Sequence, residues 1–125
     1  MEEKDLEPAT IDGTMLQSLW DMVEGDKVVF AELLNCYLED ALILVKTLST
    51  AAKNQDAHTL HQTAHKLKSS SAYVGATLMS QLSQELEAMA KSNNLQQTTQ
   101  TVQQLQKEHE RVTSALRTEL EKTRL

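Results

Sequence analysis

The sequence predicts an all-α fold: an antiparallel four-helix bundle with a short additional helix at the N-terminal side. Three observations predict it. Gly and Pro, the residues that turn a chain, number three and one among 125 residues, so long uninterrupted elements are required. Good helix formers abound: Ala, Leu, Gln, Glu, Lys and Met. Apolar residues recur at spacings of three and four, and no stretch sustains the alternation of a strand. The length suits one domain with a sizeable core. Residues 1–10 read as an acidic, Pro8-containing leader or linker, and 11–125 as the helical domain.

The first helix is expected over about Asp12 to Glu24, with Met15, Leu16, Leu19, Trp20 and Val23 on its apolar side. Gly25-Asp26 breaks it, and Trp20 is expected to pin this short helix to the bundle. The second runs over about Lys27 to Lys53. Its stripe is Phe30, Leu34, Tyr37, Ala41, Leu44 and Leu48, widened by Leu33, Leu38, Leu42, Ile43 and Val45, which predicts burial on more than one side. Asp56 is the expected N-cap of the third helix, and Gly75 its stop. The fourth spans about Thr77 to Lys91 with Leu78, Leu82, Leu86 and Met89 inward. The fifth spans about Leu95 to Thr123, its stripe being Leu95, Thr98, Val102, Leu105, His109, Val112, Leu116 and Leu120. Short connections between long helices give the antiparallel arrangement.

Composition excludes several roles. A net charge of −6 argues against nucleic acid and anionic membranes, both of which need basic patches. No apolar run approaches a membrane span, and no charged-then-apolar leader predicts secretion. The single cysteine, Cys36, cannot form an intrachain disulfide. It reads as a small buried helix residue in a reducing, cytoplasmic setting.

The third helix carries the chemistry. At about 100° per residue, Leu60, Thr63, Ala64, Leu67, Ser70, Ser71 and Val74 fall on one side as a core-facing stripe. His65 points away from it. Within about 60° of His65 lie His58, His61, Gln62, Lys68, Ser69 and Ala72. A histidine thus centres an outward face, with a lysine one turn on and small residues beyond. Neutral imidazole offers a lone pair that can attack phosphorus, and the resulting phosphoimidazole can pass the group on.

The run His65-x-Leu67-Lys68-Ser69-Ser70-Ser71-x-x-Val74-Gly75-Ala76, preceded by Ala64, resembles the signature of the histidine-containing phosphotransfer (HPt) domain. Leu78, Leu82, Leu86 and Glu87 continue the likeness, which covers roughly Ile11 to Lys91. The motif is long and of fixed spacing, so it is more specific than a lone histidine. Ser69 departs from it, since the family usually has Gly there.

The resemblance implies a helical bundle and a phosphorelay intermediate. His65 would accept a phosphoryl group from a receiver-domain aspartate and pass it to another receiver. Lys68 would neutralise phosphoryl oxygens, while His61, Gln62, Ser69 and Ala72 would form the docking face. The expected partners are response-regulator receivers and a hybrid histidine kinase, and the expected Mg²⁺ sits on the partner receiver. This chain has no Gly-rich nucleotide loop, so no autonomous ATP-dependent kinase activity is expected. Ser69 is expected to leave His65 competent while restricting partner approach.

Two other readings compete. A His-rich metal-binding bundle is suggested by His58, His61 and His65 on one face, and by His61-Gln62-Thr63-Ala64-His65 against the zincin pattern H-E-x-x-H. Gln in place of Glu removes the general base, Lys68 puts positive charge beside the metal, and Glu-x-x-His pairs are absent. No metal ligand is therefore assigned. His58, His61 and His109 read otherwise as polar positions at the surface or bundle edge. A helical interaction module is the second alternative, with the heptad-like last helix pairing with a second chain. A bundle helix needs the same pattern, so periodicity alone does not separate the two.

Overall fold

The computed structural model describes residues 10–123. Five helices follow one another: α1 (Gly13–Met22), α2 (Lys27–Lys53), α3 (Ala57–Tyr73), α4 (Thr77–Lys91) and α5 (Thr98–Glu121). The helices α2 to α5 pack around a ring in which each touches its chain neighbours and α5 closes onto α2. Short links between them make successive helices antiparallel. The expected leader, apart from Thr10, and the expected break at Pro8 lie outside the described residues.

Local chemistry sets the helix starts. Asp12 accepts from the Thr14 N–H at 2.9 Å, and Asp26 from those of Val28 and Val29 at 3.0 and 3.1 Å. Asp56 caps α3 as predicted, accepting from the Thr59 N–H at 3.1 Å and the Thr59 hydroxyl at 2.7 Å. These bonds hold its carboxyl below the usual range. The fifth helix starts three residues later than expected, because the N–H and hydroxyl of Thr98 both turn onto the Leu95 carbonyl.

The interior is one cluster spanning all five helices. On α3 the buried residues are Leu60, Thr63, Ala64, Leu67 and Ser71, close to the predicted stripe; Ser70 is only partly buried. Trp20 meets Phe30 edge to face, ring centroids 5.1 Å apart, and so pins α1 to α2. The Tyr37 hydroxyl and Ser71 Oγ bond at 2.8 Å inside the bundle. Burial pushes the Tyr37 pKa up to about 12, against the pull of Ser71 and with the aid of nearby Glu108.

The structure corrects several placements. Leu78 is exposed and Met79 is buried in its stead, because the inward stripe of α4 runs Met79, Leu82, Ser83, Leu86 and Ala90. Leu42 and Ile43 are exposed: they lie about 100° and 200° past Ala41, off the single stripe that α2 buries. Cys36, one residue before Tyr37, is likewise exposed rather than buried. On α5 the position facing the core is Glu108, not His109. The Glu108 carboxylate lies 3.4 Å from Arg111, and desolvation still raises its pKa. His109 is half-buried, which lowers its pKa.

Gly75 joins α1 to the end of α3. Its φ is 81°, and its carbonyl accepts from the Asp12 N–H at 2.8 Å. A Cβ added there would lie 2.7 Å from the Asp12 carbonyl oxygen, whereas one at Gly25, also at positive φ, would meet only Trp20 at 3.5 Å. Gly75→Ala is therefore expected to cost roughly 3 kcal/mol through backbone strain and overlap. Gly25→Ala is expected to cost about 1 kcal/mol. Urea denaturation of the two variants checks the order.

Candidate functional site

With Asp56 fixing its start and Leu60, Ala64 and Leu67 its inward side, α3 has no freedom to rotate, and His65 is turned out of the bundle. Its side chain is 59% exposed. The neighbouring helix α4 is held to α3 at this level by the Ser80 hydroxyl, which donates to the Lys68 carbonyl at 2.9 Å. About two turns further along α4, Glu87 reaches across to the histidine.

Glu87 joins the cluster together. Its Oε2 lies 2.7 Å from His65 Nδ1, and its Oε1 accepts from Lys68 Nζ at 2.7 Å. His61 Nε2 stands 3.8 Å from Oε2. The carboxylate is 15% exposed. The hydrogen bond from Lys68 holds its pKa below the ordinary value, with the His65 bond and both positive partners adding to this against the opposing effect of burial.

This arrangement decides the tautomer. An ionised carboxylate only accepts, so His65 Nδ1 carries the proton that fills the 2.7 Å contact. In the neutral ring the lone pair then belongs to Nε2, on the opposite side of the imidazole. The site presents a nucleophilic nitrogen outward and a fixed N–H inward.

Of the residues singled out from sequence, His61, His65 and Lys68 meet at Glu87. Gln62 and Ala72 are exposed on the same helix. Ser69 is exposed, and its hydroxyl donates to the His65 carbonyl at 3.3 Å instead of standing free beside the imidazole. Ser70 bonds back to the Leu67 carbonyl at 3.4 Å, whereas Ser71 turns to Tyr37. Among the described residues, no group of three or more His, Cys, Asp or Glu side chains is placed to hold a metal ion. No described helix is long and apolar enough to cross a membrane.

Glu87 stands in the continuation of the motif, where helical periodicity alone gives it no role. The signal available was the pair of hydrogen-bond donors, His65 and Lys68, at i and i+3 on α3, which an acceptor from the adjoining helix can satisfy.

The Hpt domain family model matches residues 32–115, a span that contains His61, His65, Lys68 and Glu87. The chain belongs to the Hpt domain family. Its fold is similar to the crystal structure of histidine-containing phosphotransfer protein B (HptB) from Pseudomonas aeruginosa PAO1, with a TM-score of 0.86 and 27% identity, over 94% of this chain and 100% of that one. The HPT domain of the Hpt sensor hybrid histidine kinase from Shewanella has the same fold, with a TM-score of 0.74 and 24% identity, over 90% of this chain and 95% of that one. No curated protein matches the sequence significantly. The role of this Hpt domain is histidine phosphotransfer in a phosphorelay, and Hpt domains are phosphocarriers rather than kinases.

The Glu87 contacts carry a pH signature. A carboxyl whose folded pKa is depressed contributes stability above its ordinary pKa, and that stability is lost as pH falls through the folded value. Stability should therefore drop below about pH 4.5, and Glu87→Ala should flatten that part of the profile in urea titrations at stepped pH. By ¹⁵N NMR at neutral pH, the unprotonated nitrogen of His65 should be Nε2 in the wild type and a mixture in Glu87→Ala.

Proposed function

We propose that His65 is the phosphoryl carrier of this Hpt domain and that Nε2 is the atom modified. The observation that supports this best is the shared carboxylate: Glu87 grips Nδ1 of His65 and Nζ of Lys68 at 2.7 Å each, which leaves Nε2 outward. In the forward step the Nε2 lone pair attacks the phosphorus of a receiver's aspartyl phosphate. The N–P bond forms as the P–O bond to the aspartate breaks, and that electron pair returns to the carboxylate oxygen. Positive charge develops on the ring, and Glu87, held against Nδ1–H, stabilises it in the way a carboxylate orients and stabilises an imidazolium elsewhere. The reverse sequence hands the group to a second receiver.

Lys68 is the phosphoryl-stabilising residue in this reading, since its ammonium, one turn along α3, carries the charge that phosphoryl oxygens attract. Gln62, Ser69 and Ala72, with His61, form the low surface that a receiver approaches in line. The partner receiver brings the aspartate and Mg²⁺, and this chain supplies no nucleotide chemistry. Response regulators and a hybrid histidine kinase are the partners, and the cytoplasm is the compartment.

The test is transfer from a phosphorylated receiver domain in the presence of Mg²⁺. Label should appear on the wild type and not on His65→Gln; equal labelling of both would sink the assignment. Glu87→Ala should slow transfer by at least about tenfold through loss of the held proton, and Lys68→Ala by about tenfold through loss of a charged hydrogen bond.

Ser69 has its own outcome. Its hydroxyl is already engaged by the helix backbone, so what distinguishes it from glycine is bulk beside His65. Ser69→Gly should tighten receiver binding by a few fold while costing the helix about 1 kcal/mol. An unchanged affinity and rate would remove any role for this departure.

A further inference from the structure

The short helix α1 leans on α3 and meets α2 through the Trp20–Phe30 ring contact. Toward the end of α5 it leaves a gap. That gap is a cavity of about 460 Å³, floored by Leu16, Trp20, Phe30 and Ala115. Its size is that of a small-molecule site. None of its lining residues belongs to the Glu87 cluster. The Thr10 hydroxyl, which accepts from Arg111 at 3.2 Å, holds the chain to α5 just before α1 begins.

Two features of the walls define what fits. The first is a fixed aromatic surface. The Trp20 ring meets Phe30 edge to face with centroids 5.1 Å apart, and a Cβ on Gly25 would stand 3.5 Å from its Cζ2. The indole is thus held on two sides, half-buried, and lines the cavity with what remains. Leu16 and Phe30 beside it are core residues. Such a wall favours a flat apolar ring, which stacks on it or meets it edge-on.

The second feature is charge. The chain carries −6 overall, yet the rim of this cavity is positive. Lys27 and Lys122 line it together with one carboxylate, Glu119. Glu119 is engaged by Lys122 at 2.8 Å, and Lys27 has no ion pair among the described residues. Two cations and one anion leave a single positive charge over an apolar floor. That combination selects a monoanion with an apolar body over a neutral or cationic compound.

We propose that the cavity between α1 and α5 binds a small aromatic monocarboxylate, its ring against Trp20 and its carboxylate on Lys27 and Lys122. Ammonium groups donate charge-assisted bonds to the carboxylate, and the ring covers the apolar floor. The bound acid fills the gap and braces α1 against α5. This site is independent of the phosphocarrier reading, since none of its residues takes part in transfer.

The probe is 4-phenylbutyrate, titrated into the full chain. Trp20 is the one tryptophan of the sequence, so its indole N–H gives one ¹⁵N NMR signal that reports on the cavity directly. A saturable shift with a dissociation constant on the order of 0.1 mM is expected for a ligand of this size. The neutral counterpart, 4-phenylbutan-1-ol, should bind about tenfold more weakly. Lys27→Gln should weaken the acid about fivefold and leave the alcohol unchanged, a split that loss of fold does not produce. Ala115→Leu fills the cavity from α5 while keeping both lysines, and should abolish binding of both compounds with helical circular dichroism unchanged. Equal affinity for acid and alcohol, binding that survives Ala115→Leu, or no saturation by about 10 mM would each overturn the site. So would filling of the cavity by the chain itself: an indole signal that moves with protein concentration alone makes a second copy the occupant, and one that moves in Leu6→Asp without the probe makes it the leader.

Discussion

Two positively inclined groups on one helix face would ordinarily sit apart in solvent. Here the Glu87 carboxylate binds both, one oxygen to each, at 2.7 Å. Exposed ion pairs contribute little, but this carboxylate is mostly covered and accepts two short charge-assisted bonds, which favours its ionised form. From that single ionisation state follow the position of the His65 proton, the exposure of the Nε2 lone pair and the place where Lys68 waits. Protonate Glu87 and each of these loses its cause.

The bundle serves to keep that contact in register. A carboxylate on α4 meets a histidine on α3 only if neither helix turns or slides. Rotation is opposed by the buried stripes Leu60–Ala64–Leu67 and Met79–Leu82–Leu86. Sliding is opposed by Asp56 at one end of α3, Gly75 at the other and the Ser80–Lys68 bond between. Ala64, buried directly before His65 in the chain, adds no bulk between the helices. Packing and capping thus become chemistry: a reactive nitrogen on a rigid helix presents one geometry to every partner.

Most of α3 was legible because its information is local. The helical phase that buries Leu60 and Leu67 exposes His65, and the cap and stop residues flank the run in sequence. The role of Glu87 was not legible, because it depends on the relative phase of two helices, which no single periodicity contains. His109 was placed inward for another reason: patterning assigns charge to the surface, whereas the buried position is Glu108, whose carboxylate lies 3.4 Å from Arg111. Leu78 failed as an inward residue because it lies one position off the stripe at a bundle end, where apolar side chains have less to pack against. Cys36 and Ile43 failed alike, on a helix that buries one side rather than two.

Ser69 shows how the same rigidity limits what a side chain beside the histidine can do. Its hydroxyl is within reach of a helix carbonyl one turn back and takes it, at 3.3 Å. Such back-bonding is the ordinary fate of serine inside a helix, and it turns a potential phosphoryl contact into part of the scaffold. What remains of the departure from glycine is volume beside the imidazole, and in the proposed reading that volume meets the approaching domain. Under the proposed reading, the chemistry at His65 and the fit of its partner are therefore separable on this surface: Glu87 and Lys68 stand on its α4 side, and Ser69 on the flank away from it.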